Sequence, residues 1–285
     1  MRFALVTPSY RLDYEVCRIL IDSVHRFVPA DVVHYVIVSS DDLDLFRQCA
    51  DERTRVLVQE DVVPERFWRV PFSRNWRVNP RTIPVRGWIW QQMVKLSIGN
   101  RIDADAYMMM DSDCLFVEPF DPRSLIVDGK VPFYREEKDW YRTNPESQKW
   151  FDVSRRMLRL PPFEEPHSVG YINPLEFWRR DVLLKLHAHV ANGRRQNALL
   201  HDVAWSLRFS EYTLYGVFVD KVLGLAQSGH YEFGRHLSHE YWPETPLSPA
   251  QLEDFKSKRA DGDVLVMINA KSRTPPRDIR KTFAF

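Results

Sequence analysis

The sequence predicts an α/β protein with a mixed, mostly parallel central sheet and helices on both faces. Short apolar runs that suit buried parallel strands alternate with segments of helical period, and a β-α-β order opens the chain. Such a unit implies parallel strands joined by a right-handed crossover. Because ligands of these sheets bind at the carboxyl ends of the strands, polar residues that follow a strand are candidates for function.

Apolar periodicity predicts the elements of this single 285-residue domain. In the first half we expect a strand at 3–6, a helix at 13–27, a strand at 32–38, a helical segment through Cys49, a strand at 55–58, a helix at 88–98 and a strand that ends in Asp111. In the second half we expect helices at 148–158, 175–189, 201–209 and 212–223, and a late strand at 264–268.

Residues 62–85 are rich in Pro, Arg and aromatic side chains and have no clear period. They predict a long ordered loop, and long loops in compact domains are commonly functional. Tryptophans here have arginine neighbours, as in 66–69 and 75–77. Such pairs indicate either cation–π packing at a surface or stacking platforms for sugar or base rings.

Charge and cysteine usage limit the classes of function. Forty basic residues nearly cancel thirty-nine acidic ones, so no overall field favours nucleic acid or a strongly anionic membrane. Cys17, Cys49 and Cys114 are scattered, which argues against a disulfide framework and favours a reducing compartment, the cytoplasm by default. The first residues do not resemble a signal peptide, and no apolar run approaches membrane-spanning length.

Two acids, Asp111 and Asp113, close the apolar run that begins at Tyr107. In extended chain, residues two apart point to the same side, so both carboxylates can hold one hard cation, Mn²⁺ or Mg²⁺, and leave positions for phosphate oxygens. Most Asp-x-Asp tripeptides are turns, caps or solvated loops. Here apolar character resumes at Cys114, and this strand–acid–strand order favours a metal site.

Several segments together resemble the nucleotide-sugar-dependent glycosyltransferases of GT-A architecture, and cover most of the chain. They are Thr7-Pro8-Ser9-Tyr10, Ser39-Ser40-Asp41, residues 87–96 and Met110-Asp111-Ser112-Asp113. Residues 210–216, Ser-Glu-Tyr-Thr-Leu-Tyr-Gly, are similar to a segment of a little-characterised bacterial group within that superfamily. The resemblance implies a nucleotide-sugar-binding half at 1–120 and an acceptor-binding and catalytic half at 121–285.

The resemblance also implies roles for individual residues. Thr7, Pro8 and Tyr10 would border the nucleotide base, Asp41 the base or ribose, Asp111 the ribose or metal, and Asp113 the metal, while Gln92, Lys95, Lys271 and Arg273 are donor-binding candidates. Lys95 would donate to phosphate, although a lysine on a helix surface is usually only solvated. His239 is the candidate for a third metal ligand, and a structural role is its alternative.

Glu211 is the candidate general base, since an attacking sugar hydroxyl must lose its proton as the bond forms. A base opposite the leaving group implies inversion at the anomeric carbon, by analogy with inverting glycoside hydrolysis. The alternative is that Ser210 and Glu211 only cap and charge the start of a helix.

The sequence therefore predicts a cytoplasmic, metal-dependent, inverting glycosyltransferase. Its donor would be a nucleoside-diphosphate sugar, with a UDP-sugar favoured, and its acceptor a bacterial glycan; a nucleic-acid partner is not expected, and peripheral membrane association stays open. A nucleotidyltransferase is one alternative, but no glycine precedes Gly87 to form a phosphate loop. A non-catalytic glycan- or nucleotide-binding module on the same fold is the other.

Overall fold

The computed structural model describes residues 1–70, 73 and 75–285. Its strands are β1 (Phe3–Pro8), β2 (Val33–Val38), β3 (Thr54–Val58), β4 (Trp68–Arg69), β5 (Trp76–Val78), β6 (Val85–Arg86), β7 (Ala106–Met109), β8 (Cys114–Phe116), β9 (Val131–Tyr134), β10 (Glu136–Glu137), β11 (Val169–Gly170), β12 (Glu176–Arg179), β13 (His230–Phe233), β14 (Ser238–Tyr241) and β15 (Leu265–Ile268).

The helices connect and cover these strands. They are α1 (Tyr14–Phe27), α2 (Leu43–Phe46), α3 (Gln59–Val62), α4 (Gly87–Ser97), α5 (Asp139–Thr143), α6 (Pro145–Met157), α7 (Arg180–Ala191), α8 (Ala198–Ala204), α9 (Glu211–Val217), α10 (Leu225–Ser228), α11 (Pro249–Ser257) and α12 (Pro276–Phe283). Single 3₁₀ turns include Arg11–Asp13, Ser40–Asp42 and Ala270–Ser272.

A mostly parallel sheet forms the centre of the fold. Its strand order is β12-β7-β1-β2-β3, and all neighbours are parallel except β12, which runs antiparallel to β7. The predicted mixed α/β architecture is confirmed. Because β1, β2 and β7 are parallel, their carboxyl ends meet at one edge, where Tyr10, Asp41 and Asp111 follow them.

Helices cover both faces of this sheet because the strand side chains alternate. In β1, Leu5 belongs to the same buried cluster as Leu20 of α1, whereas Val6 belongs to another cluster with Met93 and Val94 of α4. These side chains are nearly or fully buried. The two-residue period of the strand thus assigns α1 and α4 to opposite layers.

A second sheet brings the carboxyl-terminal part of the chain back to the acidic pair. Its order is β14-β15-β8, with β15 antiparallel to β8, and β8 begins at the residue after Asp113. The backbone N–H of Ile268, the last residue of β15, donates to the Asp113 carbonyl at 3.0 Å. The acidic pair therefore lies where the two sheets join.

The predicted helix at 175–189 was wrong at its start. Glu176–Arg179 is strand β12, paired antiparallel with β7, and the helix α7 begins at Arg180. In β12, Phe177 packs against Phe3 on one face and Trp178 stacks on Tyr215 on the other. Burial on both faces therefore prevails over local helix preference.

Three further predictions need adjustment. Helix α8 ends at Ala204, earlier than predicted, and α9 passes at Phe218–Leu223 into a π-helical turn. The predicted loop at 62–85 contains the short strands β4 and β5 and the first residue of β6, and its residues 71, 72 and 74 lie outside the described residues. Within the described ranges, no helix combines the length and the apolar character that crossing a membrane requires.

The buried His34 of β2 should make the stability of the protein depend on pH. Its Nε2 shares a 3.0 Å hydrogen bond with the Thr7 hydroxyl, and burial lowers the pKa of His34 to about 3. Below about pH 6.5 the unfolded chain gains a proton here that the folded chain does not. The free energy of unfolding should therefore fall as the pH decreases from about 6.5 to about 3, by up to about 1.4 kcal/mol per pH unit.

Urea titrations of the wild type and His34→Gln at about pH 7.5 and about pH 5 would measure this contribution. Glutamine can keep the hydrogen bond to Thr7 but has no titrating ring, so the variant should lose less stability on acidification than the wild type. An identical loss in both proteins would contradict the prediction.

Candidate active site

A cleft of about 1450 Å³ opens at the carboxyl edge of the parallel strands. Ligand pockets usually measure about 300–1,000 Å³, so this cleft has room for more than one small ligand. Residues that follow β1, β2 and β7 line it, and the carboxyl-terminal segment lines the opposite part. Its lining includes Pro8, Tyr10, Asp13, Asp41, Asp111, Asp113, Lys271 and Arg273.

Asp113 is an acid of the cleft whose carboxylate accepts a hydrogen bond from the backbone. The backbone N–H of Ala270 donates to its Oδ2 at 2.9 Å, so the turn after β15 fixes the carboxylate orientation. Burial, followed by the negative charge of Asp111, raises the pKa of Asp113 to about 7. Keeping Asp113 ionised therefore costs free energy, and a cation bound beside its carboxylate would lower that cost.

Asp111 is half-exposed and is tied to a buried lysine. The Lys95 Nζ of α4 lies 2.9 Å from Asp111 Oδ1, 3.0 Å from Glu211 Oε1 and 3.0 Å from the Tyr212 hydroxyl. Burial alone would lower the pKa of Lys95, but the carboxylates of Asp111 and Glu211 outweigh it and the pKa is raised. Lys95 thus stays an ammonium that joins β7, α4 and α9.

Asp13 is a further carboxylate of the cleft, which the sequence analysis missed. It lies in the 3₁₀ turn after β1, and its Oδ2 accepts a 3.2 Å hydrogen bond from the hydroxyl of Ser112, the residue between the two acids. Burial raises the pKa of Asp13 to about 6. Its position soon after the first strand is the feature of the sequence that could have identified Asp13 as a residue of the cleft.

The acids fit a divalent cation shared with a bound ligand. Asp13, Asp111 and Asp113 face one cleft, yet among residues 1–70, 73 and 75–285 no three His, Cys, Asp or Glu side chains are arranged to hold a metal unaided. Mg²⁺ is commonly held by one or two carboxylates together with substrate phosphates and water. The residues present fit that mode.

The structure brings together only part of the predicted site. Pro8, Tyr10, Asp41, Asp111 and Asp113 line the same cleft. Two other candidates support neighbouring elements, since Thr7 is buried against His34 and the side-chain oxygen of Gln92 accepts a hydrogen bond from the Glu211 backbone N–H at 3.0 Å. Lys95 lies behind Asp111 and does not line the cleft.

Glu211 is buried at the start of α9 and is likewise absent from the cleft lining. The Ser210 hydroxyl caps this helix by accepting from the Thr213 backbone N–H at 3.2 Å. The Glu211 carboxylate faces the Lys95 ammonium. Glu211 therefore lies at the start of a capped helix and also forms a buried ion pair with Lys95.

His239 is not brought to the acidic pair. Its ring packs on Phe255 of α11, with 4.2 Å between centroids, and lies outside the cleft lining. The strand β14, which carries His239, is separated from β8 by β15, and the histidine side chain faces the helical layer. Lys271 and Arg273, in contrast, line the cleft from the turn after β15.

Several solved glycosyltransferases resemble this chain in structure. The bifunctional glycosyltransferase WbbM, in its apo form, has a TM-score of 0.51 at 10% identity over 99% of this chain, which spans 50% of the WbbM chain. Mouse xyloside xylosyltransferase 1, apo form, gives 0.48 at 10% over 96% and 100% of the two chains. Galactosyltransferase LgtC, in complex with donor and acceptor sugar analogs, gives 0.48 at 8% over 99% and 95%.

The likeness to WbbM, at 10% identity, is one of fold: the chain shares a mixed α/β fold with about half of the WbbM chain. The chain belongs to the family described as "Family of unknown function (DUF6492)", whose model matches residues 4–283. No curated protein matches the sequence.

Replacing Lys95 should lower the free energy of unfolding by a large amount. Lys95→Met leaves the buried Glu211 carboxylate without its cation, and breaking a buried pair in this way costs about 3–5 kcal/mol. The matched control is Lys258→Met, because Lys258 forms an exposed pair with Asp254. That variant should change the free energy of unfolding by less than about 1 kcal/mol. Equal effects of the two substitutions in urea titrations would contradict the importance of the buried ammonium.

Proposed function

We propose that this protein transfers a sugar from a nucleoside-diphosphate sugar to a glycan hydroxyl and depends on a divalent metal ion. The observation that carries the proposal is the pair Asp111 and Asp113, which follows a parallel strand and faces a cleft large enough for donor and acceptor. The fold that the chain shares with WbbM gives independent support.

The donor nucleotide is proposed to lie over Pro8, Tyr10 and Asp41. Pro8 ends β1, and Tyr10 and Asp41 follow β1 and β2, at the edge where open parallel sheets bind ligands. The exposed Tyr10 ring offers a stacking surface for a base, and the Asp41 carboxylate can accept hydrogen bonds from a base or ribose. We propose UDP as the favoured nucleotide.

The diphosphate is proposed to lie between the acids and the carboxyl-terminal turn. Asp113 and Asp111 would hold Mn²⁺ or Mg²⁺, which when bound neutralises charge on the departing diphosphate. Lys271 and Arg273 line the cleft beside them and would bind phosphate oxygens. Ala270 keeps Asp113 in its orientation. His239 is left out of this set because it packs against α11.

Glu211 is the proposed general base, and inversion is the proposed stereochemical outcome. Its carboxylate and that of Asp111 share the Lys95 ammonium, so Glu211 lies immediately behind the acidic pair. A base must come within about 2.6–3.2 Å of the hydroxyl that it deprotonates. For Glu211 to act as the base, the acceptor hydroxyl must therefore reach its carboxylate beside Lys95.

The first test of the function is metal-dependent nucleotide binding. Asp113→Asn removes one of few anionic ligands and should weaken Mn²⁺-dependent UDP binding by about one to two orders of magnitude, as should a chelator added to the wild type. Asp44→Asn, at an exposed acid of α2, is the control and should bind normally. Equal affinity of wild type and Asp113→Asn in calorimetry with Mn²⁺ would contradict the metal assignment.

The second test concerns chemistry. Glu211→Gln should keep donor binding and lower transfer by about two to four orders of magnitude, the usual contribution of a positioned general base. The control is Tyr212→Phe, which removes another Lys95 contact but no carboxylate. It should lower the free energy of unfolding by about 1 kcal/mol and leave the rate per folded molecule nearly unchanged.

Transfer rates beside melting temperatures separate the two variants, and NMR of the product gives its anomeric configuration. Near-normal turnover in Glu211→Gln, or a product that retains the donor configuration, would remove Glu211 as the base.

A further inference from the structure

The small sheet of β4, β5 and β6 has one buried and one exposed face. Its register pairs Trp68 with Val78 and Trp76 with Arg86, so these four side chains share a face. On the opposite face Arg77 is buried. The strand alternation thus directs two tryptophans and an arginine outward.

Neighbouring residues extend this exposed face. Trp68, Trp76 and Trp88 keep 46%, 40% and 47% of their surface exposed, and Trp88 lies in the first turn of α4, two residues after Arg86. The Arg66 guanidinium lies 5.4 Å from the centroid of the Trp68 ring. We call these five residues, Arg66, Trp68, Trp76, Arg86 and Trp88, the tryptophan–arginine face.

Arginines outnumber acids in the segment that carries this face, although Arg69 pairs with Asp41 and Glu60, and Arg77 lies near Glu60. Residues 64–88 contain six arginines and one acid, Glu65, in a chain whose net charge is only +1. Glu65 is engaged away from the face, where it accepts a 2.9 Å hydrogen bond from Asn197 and lies 3.6 Å from Arg81. Both arginines of the tryptophan–arginine face are exposed.

We propose that the tryptophan–arginine face docks the protein on bilayers that contain anionic phospholipid. Tryptophan is favoured at the membrane–water interface because its ring is apolar and its N–H is polar. Exposed arginines are attracted to anionic headgroups. The charge complementarity therefore selects an anionic over a zwitterionic surface.

The extent of the face favours a bilayer over a saccharide. Trp76, Arg86 and Trp88 line the cleft, but Trp68 does not. A ligand held in the cleft would leave Trp68 uncovered, whereas a planar surface can contact the whole face. Docking in this way turns the rim of the cleft toward the membrane.

The experiment measures sedimentation of the full chain with two kinds of vesicle, one of phosphatidylglycerol with phosphatidylethanolamine and one of phosphatidylcholine alone. The wild type should bind the anionic vesicles more tightly, and added salt should weaken this binding. Arg66→Gln combined with Arg86→Gln should lower the partition coefficient roughly thirtyfold. Trp68→Ser combined with Trp88→Ser should lower it by about tenfold or more.

Matched controls are Trp140→Ser and Arg277→Gln, because both residues are exposed elsewhere on the molecule. Both should bind anionic vesicles like the wild type. The proposal is overturned if wild type does not prefer anionic vesicles, or if the controls lose as much binding as the face variants. It is also overturned if the protein binds soluble dextran sulfate as tightly as vesicles and the tryptophan variant keeps that binding. The arginine variant, at exposed positions, keeps the test decisive should the tryptophan variant fail to fold.

Discussion

The buried ammonium of Lys95 is the interaction on which the arrangement of the cleft depends. It joins the end of β7, through Asp111, to the start of α9, through Glu211 and Tyr212. A buried charge persists only when its partners offset the cost of leaving water, and here two carboxylates and a hydroxyl do so. The Lys95 side chain therefore holds together the nucleotide-facing edge of the sheet and α9, the helix that carries the proposed general base Glu211.

A second constraint acts on the other acid. The turn after β15 donates to Asp113 through the Ala270 backbone N–H, so a segment far along the chain fixes this carboxylate. The same turn carries Lys271 and Arg273 into the cleft. Anionic and cationic groups thus line the same cleft, in which a metal-bound diphosphate is proposed, and of these groups Asp113 is held by a backbone N–H.

The sheet and its ligand edge could be predicted from the sequence because both depend on local patterns. Short apolar runs located β1, β2 and β7, and Tyr10, Asp41 and Asp111 follow those strands. The burial of Lys95 could not be predicted in this way, since it depends on partners more than a hundred residues away in α9. Strand β12 was missed for the same reason, because only pairing with β7 distinguishes it from a helix start.

The central claim is that Asp111 and Asp113 hold a metal-bound nucleoside diphosphate in the cleft. A crystal structure with UDP and Mn²⁺, with anomalous scattering recorded for manganese, tests it most directly. The account predicts a manganese peak within ligand distance of the Asp113 carboxylate and density for the base between Tyr10 and Asp41. A manganese peak away from both acids, or a base bound outside this cleft, would contradict the account.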